Sequence, residues 1–380
     1  MSKGTIIIAA GGTGGHLFPA KALAAVLRQR GWQLALATDR RGSAYGEHFP
    51  DMPVYRLYCA GSGGSLLRKL RAAAETAYGV WQARRLLARL RPAVVIGFGG
   101  YPSLPAVLAA TMLGIPTIIH EQNAVLGRVN RLLAGRVDLI ATSHHKVRGL
   151  PAASASRVRY TGNPVDAAFA GLRAMPYRPP SPKGPLRLLI TGGSQGARVF
   201  SDVVPEALST MEEGLRRRLH VVQQCRAEDL ERVRETYARA GITAALDSFI
   251  DDMPGIMAAT HLAVTRAGAS TIAELMVAGR PAVLVPYPHA TDDHQSANAR
   301  AMADLGGAWL IPQEKFTPSA CRESLEALLK DPHMLARMAQ AALTGGQPDA
   351  AARLAGLAED LAGQSNGGGN GGNMKEREAA

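Results

Sequence analysis

The sequence predicts an α/β protein built from two Rossmann-like domains whose parallel sheets face a central cleft. Three observations carry this expectation. A glycine-rich turn follows a short apolar run twice. Ile6-Ile7-Ile8-Ala9-Ala10 leads into Gly11-Gly12-Thr13-Gly14-Gly15-His16, and Leu188-Leu189-Ile190-Thr191 leads into Gly192-Gly193-Ser194-Gln195-Gly196-Ala197. Runs of this length read as buried parallel strands, and glycine lets the backbone turn sharply and approach a ligand closely. Second, strand and helix patterns alternate through both halves, which is the signature of a parallel sheet covered by helices. Third, 380 residues is about twice the usual domain length. In an open α/β sheet the ligand lies beyond the carboxyl ends of the strands, where backbone amides and a helix N-terminus favour phosphate, so a nucleotide is the expected ligand class.

Taken in order, residues 17–30 read as a helix, 34–37 as a strand, and 66–91 as a long helix. Residues 93–97 form the next apolar run, 103–113 a helix, 116–120 a strand and 139–141 a further strand. The alternation breaks near Thr161-Gly162-Asn163-Pro164, and the proline-rich stretch 176–185 reads as a linker. It restarts at Leu186, with later strands expected at 219–222, 262–264 and 282–285. From Gln364 the chain is glycine, asparagine and charge, a composition that buries too little apolar surface to fold, so disorder is expected there.

Composition narrows the class. Cys59, Cys225 and Cys321 are widely spaced and form no metal-ligand cluster, which fits a reducing cytoplasm without a disulfide framework. The chain enters a strand almost at once, so no signal peptide is expected, and no apolar run reaches the roughly 20 residues of a membrane-spanning helix. The net charge of +12 raises the question of an anionic partner. Nucleic acid is not expected, because no binding motif or row of stacking aromatics accompanies the charge. Within 66–91, Leu67, Leu70, Ala74, Tyr78 and Trp81 recur at helical spacing among Arg68, Lys69, Arg71, Arg84, Arg85 and Arg89. Such a stripe is either core or a face that lies on an anionic membrane surface, and the pattern alone leaves both open.

Several polar residues fall at strand ends, where chemistry is usually done. His16 stands at the mouth of a helix beside two flexible glycines, where an imidazole either takes a proton from a hydroxyl or simply binds phosphate. His120-Glu121-Gln122-Asn123 follows a strand directly and lacks the second histidine of a HExxH metal site. Phe98-Gly99-Gly100-Tyr101-Pro102 is a third glycine-rich loop at the same edge, and together these loops suggest an acceptor pocket. In the second half, Ser194 and the amides of Gln195 and Gly196 open a helix and can hold a diphosphate without a metal. Thr265-Arg266-Ala267-Gly268-Ala269-Ser270-Thr271-Ile272-Ala273-Glu274 is another strand-to-helix turn, and Glu274 lies one turn beyond Ser270, able to accept both hydroxyls of a ribose or merely to offset the helix dipole. Ile250 offers backbone contacts to a base, and Asp292-Asp293-His294-Gln295 opens a helix within reach of sugar hydroxyls or of solvent.

GGTGGH, GFGGYPS, HEQN, TGNPV, GGSQGA, FIDDM, TRAGASTIAE and DDHQSANA occur in an order and spacing that resembles the bacterial MurG family of peptidoglycan N-acetylglucosaminyltransferases, from about residue 5 to 340. The resemblance implies the GT-B fold and transfer of N-acetylglucosamine from UDP-GlcNAc to the C4 hydroxyl of lipid I, with inversion, to give lipid II. It implies no cofactor and no catalytic metal. His16 becomes the expected base, with Glu121 and Tyr101 beside it in the acceptor pocket. Thr13, Gly14, Gly15 and Ser194 would face the diphosphate, Asn123 and Gln295 the sugar, Ile250 the uracil and Glu274 the ribose. Gln195, Arg266, Ala269, Ser270, Thr271, Ile272, Ala273 and His294 complete the expected substrate contacts. The resemblance divides the chain into an acceptor- and membrane-binding domain at 1–163, a linker at 164–185, a UDP-sugar domain at 186–345, a C-terminal helix at 346–363 that returns to the first domain, and a tail at 364–380. It also places the protein on the cytoplasmic face of the inner membrane, with lipid I in anionic membrane as a partner, in the company of other wall-synthesis proteins. Two departures stand out: Asp166 follows TGNPV where the family often has arginine, leaving Arg266 to supply the positive contact, and Ser201 stands where asparagine often follows the GGSQGAR loop.

Three other classes are weighed against this. A nicotinamide-dependent dehydrogenase accounts for one glycine loop and leaves the second nucleotide site and Glu274 unexplained. A UDP-N-acetylglucosamine 2-epimerase shares the fold and nucleotide but needs no acceptor. A non-enzymatic sugar-nucleotide binder follows if Asp166 disables the donor site.

Overall fold

The computed structural model describes residues 3–11, 13–39, 49, 52–60, 65–193 and 196–367. It divides into two compact units, one formed by residues 1–164 with 349–380 and the other by residues 165–348. The first unit contains β1 (Thr5–Ala9), α1 (Gly14–Gln29), β2 (Gln33–Thr38), β3 (Val54–Arg56), α2 (Leu66–Leu90), β4 (Val94–Gly97), α3 (Leu104–Met112), β5 (Thr117–Glu121), α4 (Arg128–Leu133), β6 (Leu139–Thr142) and β7 (Val158–Tyr160). The second contains α5 (Ala167–Gly171), β8 (Leu186–Thr191), α6 (Arg198–Ser209), α7 (Glu213–Arg216), β9 (Leu219–Gln224), α8 (Leu230–Arg239), β10 (Thr243–Asp247), α9 (Met253–Ala259), β11 (Leu262–Thr265), α10 (Ala269–Ala278), β12 (Ala282–Leu284), α11 (His294–Ala303), β13 (Ala308–Leu310), α12 (Pro318–Leu329) and α13 (Pro332–Gly345). The closing helix α14 (Ala350–Gly367) belongs to the first unit.

Among the described residues the first sheet has the order β3-β2-β1-β4-β5-β6-β7 and the second β10-β9-β8-β11-β12-β13. Every pairing is parallel, for example Ile7 opposite Ala35 on one side and Val95 on the other. Successive strand residues point to opposite faces, so the unbroken apolar run of β1 fills two cores. Ile6 and Ile8 pack with Leu17 and Leu23 of α1 and with Leu354 and Ala358 of α14, whereas Ile7 and Ala9 pack with Ala83 and Leu87 of α2 and with Val107 of α3. In the second unit Leu188 and Ile190 pack with Phe200 and Val204, and Leu189 packs on the opposite face with Ile272 and Leu275.

Four strands, β3, β7, β10 and β13, fall outside the apolar runs, and all four are sheet edges. All but Ala308 of their residues are half-buried or exposed, so the continuous apolar signal of a central strand is missing. The stretch expected as a linker carries α5, whose Phe169, with Val165 and Leu172 at helical spacing, is buried in the second core; its proline-rich part lacks regular structure. The expected start of disorder at Gln364 falls inside α14, which continues to Gly367, and residues 368–380 lie outside the described residues.

Helix α2 does not use its apolar stripe as core. The residues it buries are Ala72, Ala83, Leu86 and Leu87, whereas Leu67 is 79%, Leu70 60%, Tyr78 49% and Trp81 46% exposed. Gly79 lets it lie directly on the loop after β3, since a Cβ there would come within 1.8 Å of the Tyr58 carbonyl oxygen.

The return of α14 is fastened by Glu359, whose carboxylate accepts hydrogen bonds from Lys3 Nζ (3.1 Å), Arg30 Nη1 (2.7 Å) and Trp32 Nε1 (2.9 Å). Burial pushes this carboxyl up, and the hydrogen bonds from Trp32, Lys3 and Arg30 overcome that and bring it down to about 2. A lowered carboxylate pKa stabilises the fold above the unfolded value and ceases to do so as pH falls through the folded one. Glu359→Gln is therefore expected to lower stability at pH 7 by about 1–2 kcal/mol, a figure discounted for partial exposure. The difference from wild type, followed by thermal denaturation, should shrink between about pH 4.5 and pH 2.

Candidate active site

Strand order reverses beside β1 in the first sheet, where chain order runs outward to β2 and β3 on one side and to β4 through β7 on the other. The same reversal occurs beside β8. Such switch points open a crevice at the carboxyl ends of the strands. In the first unit that edge carries the loop before α1, the loop after β4 and the HEQN segment ending β5; in the second it carries the loops after β8 and β11.

In the first unit, α1 opens at Thr13, and the first helical acceptor serves Leu17, so the amides of Gly14 and Gly15 precede the ladder. No acidic residue occupies the first turn. A Cβ at Gly15 would meet nothing closer than Thr13 Oγ1 at 3.7 Å, so the glycine leaves open space rather than fitting a tight contact. Gly14 is different, since a Cβ there would meet the Phe18 ring at 2.8 Å. The His16 ring lies beside Gly99 and Gly100, which hold φ of +84° and +71°. On its other side His16 Nδ1 is 3.1 Å from Gln122 Oε1.

Glu121 is buried at the end of β5. Its Oε1 accepts from the amide and side-chain nitrogens of Asn123 (3.0 and 3.2 Å), and its Oε2 from the Gly127 amide and Asn130 Nδ2 (both 2.8 Å). Four donors on one carboxylate fasten the loop between β5 and α4. Its direct contacts are therefore with that loop, and Asn123 is set by it. Tyr101 is half-buried at the start of the turn leading into α3 and lines an apolar groove of about 370 Å³ with Ala60, Lys69, Thr76 and Leu108.

In the second unit, the loop after β8 is folded so closely that a Cβ on Gly192 would come within 2.2 Å of the Ala197 amide nitrogen. Gln224 Oε1 accepts from Thr191 Oγ1 (2.9 Å) and the Gly192 amide (3.1 Å). Ser194 and Gln195 lie outside the described residues. Beyond β11, Ile272 N bonds Gly268 O, which leaves the amides of Ala269, Ser270 and Thr271 ahead of the α10 ladder. Ser270 Oγ is buried and makes no hydrogen bond among the described residues. Ala273 and Glu274 follow on the next turn. Gln295 Oε1 accepts from the amides of Ala267 (3.2 Å) and Tyr287 (2.9 Å), tying the opening of α11 to that of α10. His294 follows Asp292 and Asp293, which adopt φ of +54° and +53°, a region costly for residues other than glycine and concentrated at functional sites. Ile250 sits on the loop after β10 and packs against the second core.

Arg266 is buried, and its guanidinium donates to the carbonyls of Val285 and Pro286 (both 3.1 Å) and to Gln313 Oε1 (2.6 Å). Burial lowers its pKa to about 10, so it stays cationic at neutral pH while it donates to the loop after β12 and to Gln313 after β13. Asp166 caps α5 through the Ala168 amide (3.0 Å). Its charge adds to burial in raising the Glu274 carboxyl to about 7. The position where the family often carries arginine thus contributes negative potential to Glu274. Ser201 is buried in α6 next to the Cys225 thiol, away from the loop surface.

The sequence reading gave no role to His120 and Gln122, although both lie in the HEQN segment. His120 is fully buried, and Gln122 links it to His16. Their signal was polarity at the end of an apolar strand, which does not say which side chains turn inward. Among the described residues no group of three or more His, Cys, Asp or Glu side chains converges on a metal-sized site.

A raised carboxyl pKa weakens the fold as pH climbs from the unfolded value through the folded one. Glu274→Gln is therefore expected to melt higher than wild type at pH 8, with the gap closing as pH falls from about 7 toward 4.5. Melting curves across that range check the sign.

The glycosyltransferase family 28 N-terminal domain matches residues 6–142 and the family's C-terminal domain matches residues 187–354. The chain is 55% identical over 367 residues to the UDP-N-acetylglucosamine–N-acetylmuramyl-(pentapeptide) pyrophosphoryl-undecaprenol N-acetylglucosamine transferase of Rhodospirillum centenum, covering 97% of each chain. The crystal structure of Acinetobacter baumannii MurG superposes with a TM-score of 0.77 at 32% identity, covering 94% of this chain and 99% of that one. A UDP-GlcNAc 2-epimerase from Neisseria meningitidis, solved bound to UDP-GlcNAc, reaches a TM-score of 0.66 at 13% identity over 94% of this chain and all of its own, a likeness of fold alone. Two all-parallel sheets with reversals beside β1 and β8, matched along nearly the whole length, place the chain in the MurG family of glycosyltransferase family 28, with the GT-B fold.

Proposed function

We propose that the protein transfers N-acetylglucosamine from UDP-GlcNAc to the C4 hydroxyl of the N-acetylmuramyl pentapeptide carried on undecaprenyl pyrophosphate, converting lipid I to lipid II with inversion at the anomeric carbon. The observation that carries this reading is the full-length likeness to a transferase of that substrate pair. The geometry supplies matching chemistry. His16 takes the C4 hydroxyl proton as the oxygen attacks C1, the bond from C1 to the diphosphate oxygen breaks, and UDP departs with the electron pair. One base and stabilisation of the leaving group suffice for such a displacement, without a covalent nucleophile.

For a diphosphate, the first unit by itself offers Thr13 and the amides of Gly14 and Gly15; the second by itself offers Ser194, Gln195 and the opening of α10, with Ala269, Ser270 and Thr271 ahead of its ladder and Ile272 and Ala273 following. Glu274 receives the ribose hydroxyls, Ile250 the uracil, and Asn123, His294 and Gln295 the sugar. Arg266 serves the donor by holding the loop after β12. Tyr101 borders the acceptor, and Glu121 acts on it through Asn123 and the loop it fastens. This scheme calls for no cofactor or metal. The exposed face of α2, where Tyr78 stacks on Trp81 at 5.5 Å and Arg85 lies 4.0 Å over the Trp81 ring, fits a peripheral site on anionic membrane at the cytoplasmic surface, where lipid I and other wall-synthesis proteins would be met. Among the described residues no helix is long and apolar enough to cross a membrane.

The test is transfer of labelled N-acetylglucosamine from UDP-GlcNAc to a lipid I analogue. His16→Ala should lower kcat by about 10²- to 10⁴-fold, the usual contribution of a general base, while UDP binding is retained. Turnover of UDP-GlcNAc by the wild type without acceptor, and no transfer with it, would replace this reading by the epimerase. Co-sedimentation with anionic vesicles tests the membrane face, and the double substitution Leu67→Asp, Trp81→Ala should abolish binding while leaving transfer to a water-soluble acceptor intact.

A further inference from the structure

The Gln122 side chain cannot be turned over. Its Nε2 lies 3.0 Å from the Phe98 carbonyl oxygen, 3.0 Å from the His120 carbonyl oxygen and 3.0 Å from His120 Nδ1. Two of these three are pure acceptors, so exchanging the amide's oxygen and nitrogen would set an oxygen against two buried carbonyl oxygens, of which only that of His120 has a further side-chain donor, Asn130 Nδ2 at 3.2 Å. His120 is fixed in the same way. Its Nε2 faces the Gly162 carbonyl oxygen at 3.1 Å and must carry the proton, so Nδ1 is left as an acceptor for Gln122. Burial holds the His120 pKa down at about 4, so the ring stays neutral and keeps this pattern at physiological pH. With its nitrogen committed inward, Gln122 presents its oxygen outward to His16 Nδ1 at 3.1 Å. An oxygen there accepts only if Nδ1 carries hydrogen, and in a neutral imidazole the lone pair then falls on Nε2. The Nε2 edge of the ring borders Gly100, where a Cβ would come within 3.4 Å of that nitrogen.

We propose that Gln122, backed by His120 and the Phe98 and Gly162 carbonyls, is a positioning residue that holds neutral His16 in its Nδ1–H tautomer and so presents Nε2 as the proton-accepting atom. A glutamine does this without taking the proton, which stays on His16 until it leaves with solvent. The catalytic part of this inference rests on the transferase reading of His16; the tautomer does not.

Two measurements separate them. In protein labelled with ¹⁵N at its ten histidines, long-range ¹H–¹⁵N spectra at roughly pH 8.5, where a histidine of ordinary pKa near 6.5 is neutral, report which nitrogen carries hydrogen. With the signal assigned by His16→Gln, the wild type should show Nδ1–H, and Gln122→Met, similar in size but without an acceptor, should show Nε2–H. Nε2–H in the wild type, or Nδ1–H persisting in Gln122→Met, overturns the proposal. In the transfer assay with the lipid I analogue, Gln122→Met should lower kcat by about 10- to 100-fold, less than removal of the base itself, with UDP-GlcNAc affinity unchanged. An unchanged kcat overturns the catalytic consequence even where the tautomer holds. Absence of transfer by the wild type overturns the transferase reading and leaves the tautomer to be judged by the spectra.

Discussion

Parallel pairing is the constraint from which the rest of this architecture follows. When every strand runs the same way, each connection must cross back over the sheet, most often on a helix, and both faces become buried. That is why β1 is apolar at consecutive positions, and why Ile6 and Ile7 belong to different cores. It also sends every strand-to-helix loop of a unit to one edge, and the reversals beside β1 and β8 leave room there for a ligand. Glycine, histidine and the HEQN segment collect at that edge because the topology delivers their loops to it.

The same constraint explains the use of buried polar side chains. Loops crowded at one edge bring backbone amides and carbonyls out of water, and an unsatisfied buried group costs about 1–3 kcal/mol. Glu121 serves the loop before α4, Gln224 the loop after β8, Gln295 the openings of α10 and α11, and Arg266 the loop after β12. Each side chain fastens backbone at the carboxyl ends of the strands. Glu274 stands apart, because burial, and after it the Asp166 charge, raise its pKa instead of satisfying its charge. Hydrogen-bond donors brought to that carboxylate would relieve the cost.

Much of this was legible in the residues. Central strands announced themselves as apolar runs, and both glycine turns fell where strands end. The edge strands were hidden by half-exposure, and α5 by the prolines that follow it. At the strand ends, residue types singled out His16, Glu121 and Glu274 as candidates, but not the side chains and backbone groups they meet. That the α2 stripe of Leu67, Leu70, Tyr78 and Trp81 faces outward depended on which side of the helix meets the sheet, and a face apolar on one side and alanine-rich on the other does not reveal that. The pairing of Gln122 with His16 joins residues 106 positions apart, a relation that only the fold supplies.

The most direct test of the account is the anomeric configuration of the product, read by proton NMR of a reaction holding enzyme, UDP-GlcNAc and a lipid I analogue. Attack on C1 by a hydroxyl deprotonated at His16 predicts a β-linked disaccharide formed in step with UDP. An α linkage, or a C2-inverted sugar appearing without any disaccharide, would contradict it.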